Sequence, residues 1–108
     1  MNTKLLFWIF TLLGVVFEII GDIFFKKWAL SNRSFLLWMG FAIYTIGTLF
    51  WAFSLKHEML SKAISIFTIL NLIVVVLVGV IFFDENLELL SKIGILLGII
   101  SIALIELG

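Results

Sequence analysis

The chain contains no cysteine and no proline, and its one histidine is His57. Without cysteine there is no disulfide scaffold, no thiolate metal site and no cysteine nucleophile. One histidine leaves no histidine-rich metal cluster and no two-histidine catalysis. Charge is also scarce. Seven Lys and Arg balance seven Asp and Glu, charged residues are 13% of the 108, and the formal net charge is zero. A neutral chain with no basic run argues against nucleic-acid binding. An enzyme is the least expected class, because no nucleophile–base pair or metal cluster is present. No cofactor is implied.

What fills the chain is apolar. Hydrophobic residues make up 64% of it, and the mean hydropathy is +1.33. A typical soluble domain is about half apolar and about one quarter charged. A soluble fold of 12.3 kDa would lack the polar residues to cover its outside. Lipid is therefore the expected solvent.

A spanning helix needs about 20 apolar residues, and the charges divide the sequence into four such runs, approximately 5–25, 35–55, 60–83 and 89–107. Lys26 and Lys27, the turn at Ser31–Ser34, the tripeptide Lys56–Glu58 and the turn at Asp84–Glu88 separate them. The short connections predict antiparallel hairpins. The runs are continuous and do not alternate, which excludes a β-barrel. The first run carries internal acids and has no small-x-small site, unlike a cleaved signal peptide. Trp8 and Trp28 flank it, where amphipathic indoles meet the membrane interface. The expected fold class is an all-α membrane protein, a four-transmembrane-helix bundle in a single integral membrane domain, residues 1–108.

With four spans, Lys4, Lys56 and Lys62 fall on one side of the membrane and Lys26, Lys27, Arg33 and Lys92 on the other, three positives against four. Lys/Arg bias in short loops sets orientation. So small a bias predicts insertion both ways round.

Glu18 lies inside the first span. A charge near the bilayer centre costs about 2.5–3.5 kcal/mol on insertion scales, so an intramembrane acid is a functional candidate by default. Protonated, Glu18 is neutral; ionised, it calls for a cation. A proton and a cationic ligand can thus occupy it in turn. Gly14, Glu18 and Gly21 share one helix face at i, i+4, i+7, and the glycines allow close approach of a helix or a ligand. Asp22, one turn on, is placed to pair with Lys26 at i, i+4. Tyr44 in the second span can offer its hydroxyl to a carboxylate or ligand. Asn71 in the third is expected to bind another helix. Gly94, Gly98 and Ser101 form a small-residue face on the fourth span, a candidate association surface.

Around Phe17–Lys27 the chain resembles the small multidrug resistance transporters, whose first span carries Glu-x-x-Gly-x-x-x-x-Lys; Glu18, Gly21 and Lys26 match it. The similarity extends to Ser31–Arg33 in the first loop, to Tyr44, to Phe82–Gly94 and to the small face of the fourth span. The resemblance implies an antiparallel, dual-topology homodimer in a bacterial inner membrane. Its two membrane glutamates would form one shared site, taking either protons or a small or lipophilic cation of quaternary ammonium or guanidinium type. The cation would be exported against proton flow by alternating access, with Tyr44 and Phe67 beside the glutamate and Gly94, Gly98 and Ser101 at the dimer seam.

The third span departs from the family pattern Gly-x-Ala-Tyr-Ala-x-Trp and its glycine pair. Ala63 matches, Ile64 and Phe67 replace the tyrosine and tryptophan, and Ile69 and Asn71 stand where the glycines would be. Phe67 still offers a ring for cation–π contact. Asp22 is a second departure, at a position where small or apolar residues are usual. The third span also resembles four-helix subunits that translocate lipid-linked sugars, which generally lack the first-span glutamate. A lipid or lipid-linked-sugar translocator is the alternative expectation.

Overall fold

A computed structural model describes residues 2–108. Among them are four α-helices and no strands: α1 Thr3–Ser31, α2 Ser34–Ser54, α3 Leu60–Phe82 and α4 Leu89–Leu107. Each is long and apolar enough to cross a membrane. The fold is that of a four-helix, all-α, multi-pass membrane protein.

The helix ends follow local chemistry. The Asn2 side chain caps α1 by accepting the Lys4 N–H at 2.9 Å, satisfying one of the donors that every helix start leaves over. α1 continues past the apolar run, through Lys26 and Lys27, to Ser31. Lysine is a good helix former, so the two lysines end the apolar span without ending the helix. Asn32 ends it. Its backbone turns left-handed, φ 59°, and its N–H donates to the Trp28 carbonyl at 2.7 Å. Asparagine tolerates that conformation better than most residues. At the other tight turn Asp84 takes φ 52°. There the Phe83 and Glu85 N–H groups both donate to the Gly79 carbonyl, at 3.2 and 3.1 Å. A Cβ on Gly79 would meet the Glu85 carboxyl.

The chain divides into two compact units, one holding α1 and α2 up to Met59, the other running Leu60–Gly108. In the first, α1 and α2 are joined by the Asn32–Arg33 turn and pack against each other. The buried face of α1 is Phe7, Thr11, Gly14, Val15, Glu18, Ile19 and Gly21; that of α2 is Gly40, Gly47 and Ser54, spaced at seven residues. Lipid tails are as apolar as the side chains, so helix association in a membrane depends on close fit more than on hydrophobic burial. The fit here is glycine against glycine. A Cβ built on Gly21 would lie 3.0 Å from the Gly40 carbonyl oxygen, and one on Gly47 would lie 3.0 Å from that of Gly14.

In the second unit α3 is one uninterrupted helix through Ile69 and Asn71. Ala63, Ile66 and Phe67 are buried, while no residue of α4 is. Gly98 of α4 lies against Ile69 of α3, 3.4 Å from its Cγ2 to an added Cβ.

Candidate functional site

Glu18 is 6% exposed. Its backbone stands where α2 comes closest, since a Cβ on Gly47 would lie 2.7 Å from Glu18 Cγ and 2.9 Å from its backbone nitrogen. Only a glycine on α2 leaves room for the acid to turn into the helix pair.

One turn earlier on α2, the Tyr44 hydroxyl donates to the Glu18 carboxyl. Two contacts fix the ring. Phe25 packs on it, centroids 5.9 Å apart, and Tyr44 Cβ lies 3.0 Å from where a Gly21 Cβ would be. Asp22 is half-buried and close enough to act electrostatically on both Glu18 and Tyr44. Despite these neighbours Glu18 Oε2 is buried with no hydrogen-bond partner, and so is Thr11 Oγ1 on the same face. An orphaned buried oxygen is costly and calls for an explanation. The two lie on one stripe of one helix, seven residues apart.

An aromatic row joins α1 and α2 and reaches the second loop. Phe17 stacks on Phe50 at 5.5 Å, Phe50 on Phe10 at 6.4 Å, and Phe10 packs against Phe53 and stacks on His57 at 5.7 and 5.9 Å. The row adds ring contacts across the α1–α2 hairpin.

Five of the residues singled out from sequence thus gather in the first unit: Gly14, Glu18, Gly21, Asp22 and Tyr44. The others lie in the second. Phe67 is buried at 9% exposure, and Asn71, one turn on, has a buried Oδ1 with no hydrogen-bond partner. Gly98 faces α3, Gly94 has nothing within 4 Å of an added Cβ, and Ser101 donates its hydroxyl to the Leu97 carbonyl at 2.9 Å. Sequence reasoning passed over Thr11, Gly40, Gly47 and Ser54. The last three carried a legible signal, small residues at a strict seven-residue interval opposite Gly14 and Gly21. Thr11 carried only its place, seven residues before Glu18.

The fold and site together define a multi-pass helical membrane protein with an acid buried between its first two helices. No family model matches the chain, and no solved structure does.

Proposed function

We propose that the chain exports small or lipophilic cations in exchange for protons, as a four-helix transporter of the kind the small multidrug resistance resemblance implies. One observation carries the reading: Glu18, inside an apolar helix, is buried with an oxygen that no group among the described residues satisfies. A carboxyl in that position is stable when protonated, and when it has lost its proton it is stable with a cation in its place. The two occupants exclude each other. If the site opens to one side of the membrane at a time, that exclusion couples cation movement outward to proton movement inward. Tyr44 orients the carboxyl, and Asp22 adds a second acid that favours positive charge nearby.

In this proposal two copies pair antiparallel in a bacterial inner membrane, each supplying one Glu18. The near-even division of Lys and Arg between the two faces supports it. The test is uptake of a labelled cation into proteoliposomes under an imposed pH gradient. Wild-type protein should accumulate the cation and lose the signal when the gradient is collapsed. Full transport by Glu18→Gln would overturn the reading.

A second reading, a lipid or lipid-linked-sugar translocator subunit, draws support from α3, which runs unbroken through Ile69 and Asn71 and carries an unsatisfied Asn71 Oδ1. A phospholipid or polyprenyl phosphate copurifying with the protein, together with no cation-dependent flux, would favour it.

A further inference from the structure

Positive charge gathers at the turn between α1 and α2. No Asp or Glu occurs between Asp22 and Glu58, while Lys26, Lys27 and Arg33 lie close together there. All three are exposed. Among the described residues the Lys27 ammonium and the Arg33 guanidinium have no ion-pair partner. The second loop differs. There Lys56 lies over the Phe53 ring, 5.5 Å from its centroid, and Glu58 follows it closely in the chain.

Basic groups at a membrane surface attract anionic headgroups, and the surface running inward from them decides whether a whole lipid can follow. From Ser34 one face of α2 continues through Trp38, Phe41, Thr45 and Thr48, at helical i, i+4, i+7 spacing. It lies on the opposite side of the helix from Gly40, Gly47 and Ser54, which are buried. All five of its residues are exposed, Trp38 at 67% and Phe41 at 60%. The threonines satisfy their hydroxyls within the helix. Thr45 donates to the Phe41 carbonyl at 2.8 Å and Thr48 to that of Tyr44 at 3.1 Å. A hydroxyl facing acyl chains has to do so, since lipid tails offer no partner.

Trp38 packs edge-on against Phe41, ring centroids 6.3 Å apart. It lies one turn below Ser34, about 6 Å along the axis. The headgroup layer is about 5–8 Å deep on each side of the hydrocarbon core. An indole at that depth meets ester carbonyls with its N–H and acyl chains with its ring.

We propose that the α1–α2 turn and the outward face of α2 bind an anionic phospholipid. Its phosphate lies at Lys27 and Arg33, its ester carbonyls at Trp38, and an acyl chain along Phe41 and Thr45. The site is an exposed surface that needs no cavity, and it stands apart from Glu18.

The test uses purified full-length protein in neutral detergent, with bound lipid counted by native mass spectrometry. The probes are palmitoyl-oleoyl phosphatidylglycerol, the matching phosphatidylcholine, and glycerol 3-phosphate. Phosphatidylglycerol should bind about fivefold or more tightly than phosphatidylcholine, the value of about one basic residue at an anionic surface. Glycerol 3-phosphate, which has the charge without the tails, should neither bind nor compete. Lys27→Gln/Arg33→Gln should remove the preference. Lys56→Gln/Lys62→Gln, which takes the same charge from the other side, should keep it. Phosphatidylglycerol brominated near the carboxyl end of its acyl chains should quench tryptophan fluorescence more than the brominated phosphatidylcholine, and Trp38→Phe should remove most of that excess. Equal binding of the two lipids to wild type overturns the proposal, as does a preference that survives Lys27→Gln/Arg33→Gln. A preference lost equally in Lys56→Gln/Lys62→Gln reports net charge alone and overturns it too. Competition by glycerol 3-phosphate makes the turn a site for free phosphate esters instead of lipid. An unchanged quenching excess in Trp38→Phe overturns the course along α2. A lower unfolding temperature of Lys27→Gln/Arg33→Gln in lipid-free detergent gives the two charges a partner within the protein and overturns the lipid assignment.

Discussion

Glu18 shows how one residue can be legible in sequence and still incomplete without its surroundings. An acid within an apolar span is visible in the sequence, and its cost in lipid gives the reason to single it out. What it touches is not visible. Tyr44 is 26 residues away in the sequence, and only the pairing of α1 with α2 brings its hydroxyl to the carboxyl. Two outcomes follow at this scale. Glu18→Gln keeps the shape and the hydrogen-bond capacity but cannot exchange a proton, so proton-driven cation uptake should fall to the level of empty liposomes. Glu18→Asp keeps the exchange, and uptake should persist with a displaced pH profile. A further outcome concerns pH itself. If proton and cation compete for one carboxyl, as proposed, wild-type cation affinity should fall as pH is lowered and rise as it is raised. A titration series at several pH values checks the sign, and a pH-independent affinity would contradict competition.

At the scale of elements the controlling feature is the α1–α2 seam. The sequence marks both helices but not their facing residues, because hydropathy has no directional preference when nearly every position is apolar. Glycine spacing supplies the direction. Gly14 and Gly21 oppose Gly47 and Gly40 with backbones nearly in contact. Gly47→Ala is therefore the sharpest test. Its Cβ would meet Glu18 backbone and Gly14 backbone, neither of which can swing aside. Overpacking of this kind costs about 1–3 kcal/mol. We expect a lower unfolding temperature in detergent and impaired cation binding, since the Glu18–Tyr44 pairing depends on the same approach. Gly94→Ala, with nothing within 4 Å, should leave the unfolding temperature unchanged. Helix boundaries were legible to within a residue or two for α2, α3 and α4. α1 runs six residues past its apolar stretch to Ser31, because an apolar count measures the span and not the helix.

For the whole molecule, the positive charges and the unburied α4 raise the question of orientation and pairing. A cysteine introduced at Ser34, exposed at the start of α2, reports orientation directly, because the native chain has no cysteine to interfere. If the chain inserts both ways, a membrane-impermeant maleimide should label part of the population from outside and the remainder only after permeabilisation. Complete labelling from one side would contradict dual topology. The proposed pairing seam is tested by contrast. Gly94 is open, so Gly94→Leu should leave helix content and thermal stability of the chain unchanged while reducing crosslinked dimer. Gly98→Leu should disturb the chain itself, because Gly98 already packs on Ile69.

The sequence alone determined that this is a membrane protein of four helices, with one acid where acids are expensive. Those properties depend on transfer from water to lipid, which acts residue by residue and is summed along a run. Only the tertiary structure decided that Gly47 makes room for Glu18, that Tyr44 addresses it and that Thr11 is buried without a partner. In lipid there is little hydrophobic drive between helices, so partners are chosen by the fit of small residues distant in sequence. That fit exists only once the helices have met.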